Sequence, residues 1–161
     1  MITEKPVYRR FPKVPIERRT GAFLIDFVAI WLLCSMVGNA FLQALVFAIA
    51  WLVSRVVVVD KYQGQSLGRY ALDMKIIDSR YNRVPDLLTL LKREGLIGSA
   101  AFLAMIGLNI NFGNAFSMLL LVSPLVADCA IALADDQYAQ AFHDRLCETY
   151  IVQTQRGFSL D

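Results

Sequence analysis

The chain has 161 residues, the length of one domain, a formal charge of +2, and 57% hydrophobic against 19% charged residues, where soluble domains average about 45–50% apolar and about 25% charged. The excess is clustered: residues 21–59 carry only Asp26 and Arg55 as charges, and residues 95–134 only Asp128. A soluble bundle places a charge every few residues along its wet face, so these runs, in a chain whose overall mean hydropathy is +0.48, exclude one and predict an all-α integral membrane protein.

Residues 1–18 read as a basic arm on the cytoplasmic membrane surface, held extended by Pro6, Pro12 and Pro15. The arm either touches anionic lipid or acts simply as a topology signal. A membrane domain follows over 19–152. Its first run, 21–59, would measure about 58 Å as one helix, roughly twice the hydrocarbon thickness. It must break, and "VGNAF" supplies the turn formers Gly38 and Asn39. Spans are expected near 21–37 and 41–59. The first holds nine Leu, Ile, Phe and Val residues, worth roughly −0.3 to −0.6 kcal/mol each against about +3 for a central aspartate. It inserts, and Asp26 is tolerated at a cost. The long polar lead and the aspartate argue for a retained span over a cleaved signal.

Between the runs, residues 60–94 hold an alternation of Leu72, Met74 and Ile76 that ends in the turn-prone "DSRYN", the pattern of a short strand. "ETYIVQ", 148–153, is its candidate partner in a small cytoplasmic patch. The second run breaks at "NINFGN", giving spans near 95–109 and 115–134, with Gly95, Gly98 and Ser99 suited to close helix packing. Residues 153–161 form a tail. Cys34, Cys129 and Cys147 show no Cys-x-x-Cys spacing, which argues against a disulfide framework or a zinc site.

Six of the sixteen Lys and Arg residues precede the first span, eight lie from Arg55 to Arg93, and two follow the last span. The hairpin tips carry none. Positive residues mark the cytoplasmic side, so two helical hairpins with both termini inside are expected. Within them, Asp26 and Arg55 fall about 20 and 24 Å from the Asn39 turn. Asp128 lies at a similar depth in the fourth span. Asp26, Arg55 and Asp128 thus form a candidate intramembrane charge network. It either handles a proton or cation or fixes helix packing.

"RTGAFLID", "GQSLGRYALDMKIID" and "AFHDRLCETYIV", in this order, resemble the RDD family of multi-pass membrane proteins, named for one arginine and two aspartates. The resemblance covers Arg19 to about Val152 and implies that Arg19, Asp26 and Asp144 are the signature residues. Gly64, Gly68, Arg69, Arg93 and His143 fall on other motif positions, while Ser66 and Arg69 stand where threonine and lysine are more usual. Transport of cations or small molecules has been proposed for some members.

Physically, "GQSLGR" lacks the Gly-Lys-Ser/Thr ending of a phosphate loop and is expected to bend the chain where Arg69 meets a lipid phosphate. His143 beside Asp144 is expected to form an ordered pair on the cytoplasmic face. No nucleophile with its base, no metal-ligand spacing and no cofactor motif is seen, so neither an enzyme nor a metal or cofactor site is expected. Two functions remain. One is an accessory or assembly subunit of a larger membrane complex; the other is a small oligomeric cation, proton or small-molecule transporter using the intramembrane carboxylates. Expected partners are lipids and another membrane protein or a second copy, not nucleic acid. The expected location is a bacterial inner membrane or another energy-transducing membrane.

Overall fold

The computed structural model describes residues 14–109, 114–135 and 140–154. Pro15, with φ −57° and ψ 147°, has no N–H to offer an upstream turn, and helix α1 (Ile16–Ser35) starts directly after it. The helix therefore begins ahead of the span expected near 21–37, and Arg18 and Arg19 lie within it. Glu17 in the first turn favours that start through the helix dipole. Ala22, Asp26, Ile30 and Cys34, every fourth residue, form the buried stripe of α1. Asp26 thus lies on the inward line of the helix.

The expected break follows. Asn39 caps the next helix, its Oδ1 accepting from the Leu42 N–H at 3.1 Å. One rod then runs from Ala40 to Lys61 in three stretches: α2 (Ala40–Leu52), a π-helical turn at Val53–Val57, and α3 (Val58–Lys61). In the π turn the Val58 N–H reaches back five residues to the Val53 carbonyl, and Arg55 sits at its centre. Phe41–Lys61 is long and apolar enough to cross a bilayer by length and composition, with a hydropathy of 2.2.

Beyond α3 the chain turns at Gly64, whose φ of +89° suits only glycine. An added Cβ there would also lie 2.3 Å from the Ile76 carbonyl oxygen. Short helix α4 (Leu67–Ala71) follows, then strand β1 (Met74–Asp78). The strand opens two residues later than its alternation suggests, because Leu72 and Asp73 form the turn out of α4, Asp73 at φ 53°. Helix α5 (Leu87–Asn109) starts two turns ahead of its apolar run, since Leu90 is needed in the core. Helices α6 (Asn114–Ala134) and α7 (Phe142–Leu146) lead to strand β2 (Thr149–Gln153). The strands pair antiparallel, Met74 opposite Gln153 and Asp78 opposite Thr149.

Two apolar layers result. In one, Phe23, Phe27, Phe47 and Trp51 stack or meet edge to face between α1 and α2, centroids 5.7 to 6.2 Å apart. Ile30, Cys34, Ala44 and Ile97 complete it. In the other, Ala22, Val56, Val59 and Leu90 pack on Met74, Ile76 and Ile151 of the sheet. Outward, large apolar side chains stand exposed along the long helices, among them Leu24, Leu32, Phe41, Ile49, Leu119 and Val126. The polar site lies between the layers.

Candidate functional site

Three buried carboxylates organise the site: Asp26 meets one arginine, Glu94 three and Asp144 two. Asp26 Oδ2 accepts from Arg55 Nη1 at 2.5 Å and from the Ser66 hydroxyl at 2.6 Å. Its Oδ1 accepts from the Gly68 backbone N–H at 2.7 Å. That last bond requires α4 to lie on α1, which only glycine permits: a Cβ on Gly68 would sit 2.0 Å from the Ala22 carbonyl oxygen. Ser66 is the N-cap of α4, its Oγ accepting from Arg69 N while donating to Asp26. One hydroxyl therefore joins a helix cap to the carboxylate.

Glu94, at the head of α5, is the second node. Its Oε2 accepts from Arg55 Nε at 3.0 Å, and its Oε1 from Arg69 Nη2 at 2.9 Å and from Arg93. The Arg55 guanidinium is also held over the rings of Trp51 and Phe23, 5.4 and 5.7 Å from their centroids. A desolvated cation over an indole face gains about 2 kcal/mol. Trp51 additionally donates to the Glu94 carbonyl at 3.4 Å, and Gly98 makes room for its ring.

Asp144, in α7, is the third. Its Oδ1 accepts from Arg93 Nη2 at 2.6 Å and Nε at 3.0 Å, and from the Thr149 hydroxyl. Its Oδ2 accepts from Arg19 and from Ala141 N at 3.3 Å. Burial alone would raise this carboxyl, but Arg93 and Arg19 overcome it and hold Asp144 well below the usual carboxylate range. Arg69 moves the other way. Burial, reinforced by repulsion from Arg55, pushes its guanidinium down to about 9, still cationic at neutral pH. A cavity of about 70 Å³ opens beside these groups, walled by Arg19, Arg55, Arg69 and Arg93 and by apolar side chains.

The structure brings most of the predicted residues together. Asp26 meets Arg55; Arg19 and Asp144 pair across 125 positions of sequence; His143 Nε2 lies 3.5 Å from Asp144 Oδ1. Arg93 joins Asp144 to Glu94, and Gly68 closes on Asp26. The side chain of Asp128, the expected third member of the Asp26–Arg55 group, lies outside the described residues, and Glu94 takes the second carboxylate position on Arg55. Arg69 does not meet lipid. It is 2% exposed, because the Ser66 cap and the seating of Gly68 on α1 turn it inward to Glu94. Sequence reasoning missed Glu94 and Thr149. The signal for Glu94 was its place next to Arg93, where an acid at the edge of an apolar run reads as a solvated group. Among the described residues no group of His, Cys, Asp or Glu side chains is arranged to hold a metal ion.

The motifs that converge here are diagnostic, and the RDD family model matches residues 13–148. The chain belongs to the RDD family. All three signature residues implied by the resemblance, Arg19, Asp26 and Asp144, are members of one buried network. RDD proteins are membrane-associated, which accords with the exposed apolar side chains. Comparisons with curated proteins and with solved structures find no match.

Proposed function

We propose that this RDD protein is a non-enzymatic, four-span membrane protein that serves as an accessory or assembly subunit of a larger membrane complex. The carrying observation is saturation of the network. Every oxygen of Asp26, Glu94 and Asp144 accepts at least one bond from an arginine, a hydroxyl or a backbone N–H. A carrier must bind and release its ion, so at least one carboxylate has to exchange partners. These are committed, and they tie α1, the π turn, α4, α5, α7 and β2 into one unit. Such a unit suits a scaffold that presents fixed faces to a partner.

The membrane topology of the proposal is two hairpins with both termini on the cytoplasmic side. Support comes from the placement of lysine and arginine and from apolar side chains on the outer helix faces. The partner is another integral membrane protein, bound through those faces.

The test is photo-crosslinking in the native membrane from probes at Leu32 and Ile49, both exposed, and from Phe47, which is buried. The expected result is one membrane protein captured from the exposed positions at a fixed ratio, and none from Phe47. Proton-coupled cation flux in reconstituted vesicles, abolished by Asp26→Asn in a protein that still assembles, would overturn the proposal in favour of a carrier.

A further inference from the structure

The span Phe41–Lys61 ends against a second hollow, whose wall holds none of the arginines of the network. Tyr62 N–H donates to the Val58 carbonyl and Gly64 N–H to the Val59 carbonyl, both at 2.8 Å. The chain then turns through Gln63, at φ 51°, and Gly64 toward α4. The turn is fastened on its inner side: Ile76 N–H donates to the Gly64 carbonyl at 2.9 Å, Gln65 Nε2 to the Met74 carbonyl at 3.1 Å, and the Ser66 hydroxyl to Asp26. On its outer side it leaves a cleft of about 620 Å³. That lies within the roughly 300–1,000 Å³ of ligand pockets, which are usually pre-formed.

The lining is amphipathic. Val58 and Leu67 are apolar, Lys61 is cationic, and Tyr62 and Tyr70 each carry a hydroxyl on an aromatic ring. Helix α4 sorts its residues to match: Gly68 and Arg69 are buried, whereas Leu67 and Tyr70 stand 58% and 70% exposed. Val53, Val57 and Lys61, four apart on the rod and all exposed, share one side of it and make an apolar track leading from the ammonium along the span. No ion pair among the described residues engages Lys61, and Asp60, its neighbour in sequence, is not on the cleft wall. Tyrosine and lysine at the end of a span place their polar tips at the level of lipid headgroups.

We propose that this cleft binds one anionic glycerophospholipid of the cytoplasmic leaflet, its phosphate at Lys61 and the hydroxyls of Tyr62 and Tyr70, and an acyl chain along Val57 and Val53. A bare phosphate ion would fill little of the volume and leave Val58 and Leu67 against water. A zwitterionic headgroup brings its own cation beside Lys61, and no carboxylate lines the wall to receive it. The choice of leaflet rests on the topology proposed above; the cleft and its ligand class depend neither on that topology nor on the accessory role.

The full-length protein in detergent is titrated with palmitoyl-oleoyl phosphatidylglycerol or phosphatidylcholine and read by native mass spectrometry, a measurement blind to leaflet and partner. The expected result is saturable binding of one phosphatidylglycerol, in preference to phosphatidylcholine. Lys61→Gln should weaken it about fivefold, the loss of one basic contact to an anionic lipid. Lys92→Gln, which removes a lysine that is also exposed but lies off the cleft, should leave it unchanged. In the wild-type protein, phosphatidylglycerol with a photoreactive acyl chain should crosslink within residues 53–70. Equal affinity for the two lipids, equal effects of the two lysine variants, or no crosslink within 53–70 would each overturn the proposal. Failure to capture a partner from Leu32 and Ile49 would remove the accessory role and leave the lipid site standing.

Discussion

Gly68 carries more of this fold than its size suggests. It lets the α4 backbone touch α1 and supplies the N–H that Asp26 Oδ1 accepts. An alanine there would place a Cβ 2.0 Å from a backbone oxygen that cannot swing aside. Overpacking of this kind costs about 1–3 kcal/mol, and a weakened bond to a buried carboxylate adds to it. Gly68→Ala should therefore lower Tm in detergent by several degrees. Gly95 is the control: a Cβ there meets nothing within 4 Å, and alanine in a helix interior gains up to about 1 kcal/mol. Equal melting of the two variants would remove Gly68 from this role. The pairing of Asp26 with Arg55 was legible in the sequence, because two isolated charges in apolar runs stand at computable depths from a shared turn. Glu94 was not, because azimuth around a helix decides which side of the run's edge is buried, and no spacing in "KREG" encodes it.

The long helices and the paired strands were also legible, from apolar run length and from alternation at Met74 and Ile76. The π turn at Val53–Val57 was hidden. It replaces one register of backbone bonds with another and leaves no mark on composition, yet it sits where function concentrates in such turns. Its extra residue sets the rotation of Arg55 relative to α3 and the Gly64 turn. Deleting Val57 would restore α-helical bonding, four residues then spanning the turn that five span now, and so would turn Arg55 about the rod axis relative to α2 and α3. Arg55 could then no longer face Asp26 and Glu94 while α3 keeps Val59 in the core. Breaking a buried ion pair costs about 3–5 kcal/mol, and the deletion should melt well below the wild type, measured by thermal unfolding at matched detergent. A deletion variant with wild-type Tm would mean that the π turn sets no spacing the fold needs.

Across the whole molecule, Asp144 is one buried group through which protons reach the fold. It links α1 through Arg19, α5 through Arg93 and β2 through Thr149, so it fastens the two ends of the described chain together. Its folded-state pKa lies below the ordinary value of 3.8. The unfolded chain therefore takes up its proton first as pH falls. The stabilisation is fully present above about pH 4 and is lost progressively below it, toward the depressed folded value, at up to about 1.4 kcal/mol per pH unit per proton. Tm should be level from about pH 8 to 5 and fall steeply below about pH 4. In Asp144→Asn the acid limb should be shallower by one proton, because asparagine has none to take up, while Tm at neutral pH drops from the loss of charge opposite Arg93 and Arg19. If the mutant and wild-type acid limbs run parallel, the proton enters elsewhere and Asp144 does not govern acid unfolding.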